Sequence, residues 1–177
     1  MAERQFVSLK VGGRMYGMDI LLVREIIRDF AFTRVETPLE CVLGLLNLRG
    51  QIITVVDAGA LLGLPPRDLG PGSRCVILKT AGELAARRQL PEVAGQLVPD
   101  AVGLVVDGIA DVVQVDTGAI DAPPANTAGA NGRYLEGVVR LQDGLLQILA
   151  VGPLLADVAT RQGTRASRQD EARSVAR

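Results

Sequence analysis

Two stretches of the chain echo each other, and a duplicated pattern constrains a fold more than any single segment can. Tyr16-Gly-Met-Asp-Ile-Leu-Leu-Val-Arg-Glu-Ile26 aligns without gaps on Val102-Gly-Leu-Val-Val-Asp-Gly-Ile-Ala-Asp-Val112. Gly17 falls on Gly103, Val23 on Ile109, Glu25 on Asp111 and Ile26 on Val112. Further on, Gly44-Leu-Leu-Asn-Leu48 falls on Gly137-Val-Val-Arg-Leu141. Each is followed by a glycine-bearing turn, another apolar strand and a Leu-Leu pair, Leu61-Leu62 and Leu154-Leu155. The simplest physical reading is two similar small β-barrels with a groove between them, because closing each sheet removes exposed edges. The competing reading is coincidence, since apolar alternation always matches itself to some degree.

Composition agrees with strands. Apolar residues make up 48% of the chain, yet aromatics only 3% and Trp none, so the core is aliphatic and β-branched. A length of 177 residues fits one domain. Phe6 to Val11 alternates apolar and polar, as a half-buried strand does. Gly12-Gly13 turns the chain, and Arg14 to Asp19 returns as a second strand. Ile20 to Ile27 reads as a short helical turn leading into another strand, and Thr37-Pro38 breaks the pattern.

The sharpest hairpin signal runs from Gly44 to Asp57 and turns at Arg49-Gly50, where glycine takes a positive φ freely. Asp57 sits where an N-cap belongs, before a helix at Ala58 to Leu62, and Gly63 suits its C-terminal end. Pro65 to Ser73 is a connector, and Arg74 to Lys79 a compact strand. Thr80 to Asp100 breaks the rhythm and reads as an insertion outside the core, with a short helix at Glu83 to Gln89.

Strand character resumes at Ala101 to Val115, followed by a low-complexity loop at Asp121 to Arg133. Leu135 to Val151 forms a second hairpin around Asp143-Gly144, and Pro153 to Arg161 suits a helix. Gln162 to Arg177 has no apolar face and reads as a disordered tail, leaving one domain at 1–161.

Much chemistry is disfavoured. A net charge of −1 and a pI near 5.5 argue against nucleic-acid binding, which needs a concentrated basic face. No apolar region follows a basic start and no apolar run of membrane-spanning length occurs, so the expectation is no direct membrane insertion. Cys41 and Cys75 lack CxxC spacing and read as buried, reduced, core-filling thiols of a cytosolic protein. The chain has no histidine, hence no Ser-His or Cys-His pairing and no Cys/His metal cluster. Phosphate-binding glycine motifs are missing as well. No catalytic residue, metal or cofactor is expected.

With those residues in hand, the chain resembles CheW-like coupling proteins from about Gln5 to Asp157. Four stretches carry the likeness: Tyr16 to Ile27, Gly44 to Asp57, Val102 to Val112, and Tyr134-Leu-Glu-Gly-Val138. Asn47-Leu-Arg-Gly50 followed by an apolar strand ending in Asp57 is specific in its order and spacing. The resemblance implies an all-β fold of two intertwined five-stranded SH3-like barrels with a short C-terminal helix. It implies a non-catalytic adaptor in bacterial chemotaxis, coupling methyl-accepting chemoreceptors to a CheA-type histidine kinase. The receptor's cytoplasmic tip would lie in the inter-barrel groove, and the kinase's regulatory domain would dock on the barrels. The address would be cytoplasmic, at receptor arrays beneath the inner membrane through partners.

Carried over residue by residue, the resemblance makes Val23, Glu25, Ile26, Gly44 and Arg49 partner-binding, with Val112 on the second barrel's side of the groove. There are two departures. Asp57-Ala-Gly-Ala-Leu61 replaces the family's usual Leu-Arg and nearby aromatic, and the Thr80 to Asp100 insertion is longer than usual. Two alternatives stay open: a CheW-like scaffold of a pilus, gliding or developmental system, and a small-molecule-binding β-barrel or enzyme.

The residues themselves narrow the roles. Arg49 at a hairpin tip offers a planar, always-charged donor fork to a partner carboxylate or carbonyl. Glu25 lies in an apolar stretch, where it either faces a basic partner or pairs internally with Arg24, Arg28 or Arg49. Asp57 reads as a helix cap and Asp107 as a turn former.

Overall fold

The computed structural model of the chain describes residues 2–37, 39–86, 100–125 and 132–159. The first half supplies strands β1 (Glu3–Val11), β2 (Arg14–Asp19), β3 (Val23–Ile27), β4 (Thr33–Arg34), β5 (Val42–Leu48) and β6 (Gln51–Asp57), then helix α1 (Ala58–Leu61). The second supplies β7 (Arg74–Leu78), helix α2 (Ala81–Ala86), β8 (Val102–Val106), β9 (Gly108–Asp116), β10 (Leu135–Leu141) and β11 (Gly144–Leu149). Helix α3 follows at 151–159.

These strands form two sheets that obey one plan. The five-stranded sheet has the order β10-β11-β2-β1-β9, and the six-stranded sheet has the order β3-β7-β8-β6-β5-β4. Substituting β7, β8, β3, β5 and β6 for β1, β2, β9, β10 and β11 converts one order into the other, with the two-residue β4 appended. The substitution also maps the parallel pair β2–β11 onto β8–β6. Each sheet therefore combines the first two strands of one repeat with the remaining strands of the other. The duplication is real, and the two units are swapped into each other.

Closure is built in at both seams. The chain passes from β3 at one edge of the larger sheet to β4 at the opposite edge. In the smaller sheet, an isolated bridge between Asp121 and Val138 ties the segment after β9 to β10.

Packing follows from the swap. One barrel is filled by Phe6, Val115, Val139, Leu146 and Ile148. The other is filled by Leu46, Ile53, Val55, Cys75, Ile77 and Val105. Between them lies a shared core that includes Val7, Leu9, Val11, Tyr16, Met18, Val76, Leu78, Leu104 and Val106. Strands β1, β2, β7 and β8 are thus covered on both faces, and burying so much aliphatic surface at about 25 cal/mol per Å² is what holds the halves together.

This geometry corrects three expectations. Phe6 to Val11 is not half-buried: Phe6 faces its own barrel, Val7, Leu9 and Val11 face the shared core, and Ser8 is buried too. The second sheet has six strands where five were expected. The described start of the 80–100 segment, residues 80–86, does not stand outside the core, because Leu84 of α2 is fully buried in the shared cluster. Its helix also starts two residues before Glu83, capped reciprocally by Thr80 and Glu83; the latter part of the expected helix lies outside the described residues. The tail expected at 162–177 lies outside them as well.

Candidate functional site

The site is built on the β5–β6 hairpin. Leu48 pairs with Gln51, leaving a two-residue loop of Arg49 and Gly50 with φ of 52° and 86°. Such a turn needs positive φ at both positions, which glycine accepts and arginine accepts only with strain. The Asn47 side-chain oxygen accepts the Gly50 N–H at 2.9 Å and pins the turn.

Held there, Arg49 reaches back 24 residues to β3. Its Nη1 and Nη2 donate to Glu25 Oε1 and Oε2 at 2.8 and 3.1 Å. The question posed by Glu25 is resolved in favour of an internal pair with Arg49. A β-bulge between Val23 and Glu25 leaves Arg24 as the extra residue of β3. Arg24 also reaches the hairpin, donating from Nη1 to Gln51 Oε1 at 2.8 Å. Even so, Arg49 keeps 76% of its side chain exposed.

The other named residues divide. Ile26 is exposed on β3, and Val23 is half-buried against the shared core. Gly44 is buried and packs against β4, with the Thr33 carbonyl oxygen where a Cβ would lie. Val112 sits on the smaller sheet, paired with Val7, at the position equivalent to Ile26. It is 52% exposed.

Among the described residues, further exposed apolar side chains escaped sequence reasoning, the most exposed being Ile52 at 58% and Leu145 at 57%, just beyond the two equivalent hairpin turns. A signal was present. Ile52 adjoins Ile53, and Leu145 adjoins Leu146, yet neighbours on a strand face opposite ways and only one can enter the barrel.

A cavity of about 560 Å³ lies elsewhere, lined by residues that include Cys41, Asp57, Leu61, Arg67, Tyr134 and Asp157, and it contains none of the six named residues. Its polar groups largely engage one another. Arg67 bridges Asp57, at 2.8 Å, to Asp107. Burial works against the Arg67 charge, but the hydrogen bonds to Asp107 and Asp57 outweigh it and raise its pKa. The Tyr134 hydroxyl donates to Asp157 and accepts from Arg133. Burial pushes that hydroxyl up, and Asp157 adds to the effect.

Asp57 is the expected cap, accepting the Gly59 N–H at 3.0 Å, and is an ion-pair partner besides. Asp107 lies at the β8–β9 corner as expected, and it also accepts the Gly12 N–H at 2.7 Å. Both cysteines are buried, and burial pushes the Cys75 thiol up to about 12. Among the described residues, no group of three or more metal-capable side chains converges.

Twinned barrels with aliphatic side chains turned outward and an arginine fixed at a hairpin tip define a docking module. Comparison with known proteins places it more closely. Residues 5–159 match the family described as the CheW-like domain, and the chain belongs to that family. A probable chemotaxis protein CheW of Rhizobium etli is 23% identical over 155 residues, covering 88% of this chain and 89% of the relative. The chemotaxis protein CheW of Helicobacter pylori is 26% identical over 152 residues, covering 85% and 81%. The crystal structure of the scaffolding protein TtCheW from Thermoanaerobacter tengcongensis superposes with a TM-score of 0.69 at 27% identity, covering 87% of this chain and 88% of that one. The chain is accordingly a chemotaxis coupling adaptor and not an enzyme. No described helix is long and apolar enough to cross a membrane.

Proposed function

We propose that this adaptor joins the cytoplasmic tip of a chemoreceptor to the regulatory domain of a CheA-type histidine kinase, using the surface around Glu25, Ile26 and Arg49. Val23 supports that surface from beneath, Gly44 closes the barrel behind it, and Val112 offers the matching apolar position on the other barrel. Its place is the cytoplasmic side of receptor arrays, reached through its partners, with the adaptor domain spanning 1–161. The observation that carries the reading is the Arg49 fork: bound to Glu25, mostly in solvent, and held at a φ of 52°. Strain of that kind persists where the surroundings over-determine it, and it clusters at binding surfaces.

The test is titration of the full chain against purified CheA-type kinase and a receptor signalling fragment. Arg49→Glu is expected to weaken binding by about 2 kcal/mol, the scale of an interface anchor. The circular dichroism spectrum should not change. Wild-type affinity for both partners would refute the assignment.

A further inference from the structure

We infer that helix α2 belongs to the docking apparatus and that Glu83 is a positioning residue, holding the Arg49 hairpin through Arg24. The inference rests on the docking role proposed for that hairpin. Its ground is a continuous set of contacts. Thr80 caps α2, its hydroxyl accepting the Glu83 N–H at 3.3 Å while Glu83 Oε2 accepts the Thr80 N–H at 2.7 Å. Leu84, fully buried in the shared core, fixes the helix to the body of the protein. Glu83 Oε1 then accepts from Arg24 Nη1 at 3.4 Å, and the same nitrogen holds Gln51, two residues past Arg49.

A left-handed arginine must be held by its neighbours, or the turn relaxes. Three ties hold the turn: Glu25 of β3 on Arg49, Asn47 on Gly50 within the hairpin, and Arg24 of β3 on Gln51. The third depends on where the Arg24 guanidinium sits. Its Nε is buried without a hydrogen-bond partner, so Gln51 and Glu83 determine its place. Burial opposes the Glu83 charge, but hydrogen bonds from the Thr80 backbone and hydroxyl and from Arg24 hold the carboxyl below its usual range. The anchor is therefore charged at neutral pH. Because Glu83 is over one-third exposed, the ion pair adds little to stability, and its effect falls on the geometry of the tip.

The experiment compares Glu83→Gln, Arg24→Gln, their double variant and Arg49→Glu, each in the full chain titrated against the purified kinase, with thermal unfolding alongside. Each single variant at positions 83 and 24 is expected to weaken binding about fivefold, and the pair no more than either alone, because both cut one link. Arg24→Gln leaves the Thr80 cap intact, so its effect reports the link and not the helix. Wild-type affinity in both single variants would overturn the inference, and so would losses that multiply in the double. In either case, weakened binding by Arg49→Glu would leave the docking role standing. Undiminished binding by Arg49→Glu would remove the docking role and this inference with it.

Discussion

Gly44 and Gly137 occupy the same place in the two barrels, and each faces a carbonyl oxygen where a side chain would have to fit. A Cβ on Gly44 would lie 2.1 Å from the Thr33 oxygen, and one on Gly137 would lie 2.8 Å from the Asp121 oxygen. In both cases a register shift ends at the glycine, between Val42 and Gly44 and between Leu135 and Gly137. These are the seams where the barrels close, so backbone must approach backbone.

Alanine at either seam should therefore destabilise the protein, by about 1–3 kcal/mol as overpacking does. Gly44→Ala should cost more. Its clash is with backbone, whereas the nearest atom to a Gly137 Cβ is the Ile120 side chain at 2.5 Å. Urea unfolding reads the difference, and an undiminished midpoint for Gly44→Ala would mean the seam can open.

Arg49→Asn should separate stability from docking. Asparagine tolerates positive φ better than arginine does, so the turn relaxes and stability should rise by up to about 1 kcal/mol. The surface pair with Glu25 is worth less than that. Affinity for the kinase or receptor should fall at the same time, and a variant that is both more stable and fully competent would contradict the assigned role.

Leu84→Ala tests whether α2 is part of the body. Removing a fully buried leucine from the shared core should cost about 2–5 kcal/mol in thermal or urea unfolding. An appended loop would show almost nothing.

Cys75 should be inert in the folded protein. A thiol pushed up to about 12 by burial holds almost no thiolate at pH 8, so alkylation should await unfolding. The unfolded chain releases that proton near the ordinary value of about 8.5, so stability falls as pH climbs past it, by up to about 1.4 kcal/mol per unit. Cys75→Ala should remove that component of the slope, and fast labelling of native Cys75 would argue against the burial seen here.

Local structure was legible in the residues. Gly12-Gly13 and Arg49-Gly50 turn the chain where expected, and the β10–β11 turn falls one residue before the expected Asp143-Gly144, at Gln142-Asp143, with positive φ at Gly12, Gly13, Gly50 and Gly144. Asp57 caps α1 as its position suggested. Docking chemistry was partly legible: the motif marked Arg49 and Glu25, but nothing in a strand pattern says that residues 24 apart will meet. Ile52 and Leu145 were passed over because a continuous apolar run hides which member faces water. The start of the 80–100 segment misled because its alanines and glycine look like loop, while Leu84 is buried in the shared core.

By itself the sequence determined the strands, their turns and the duplication, since turn chemistry and apolar alternation act between near neighbours. Only the tertiary structure decided that the repeats exchange strands, that β1 and β7 are buried on both faces, and that Arg24, Gln51 and Glu83 converge beside the Arg49 tip. Those outcomes depend on which aliphatic face covers which, a choice made by burial across the whole chain and not by any window within it.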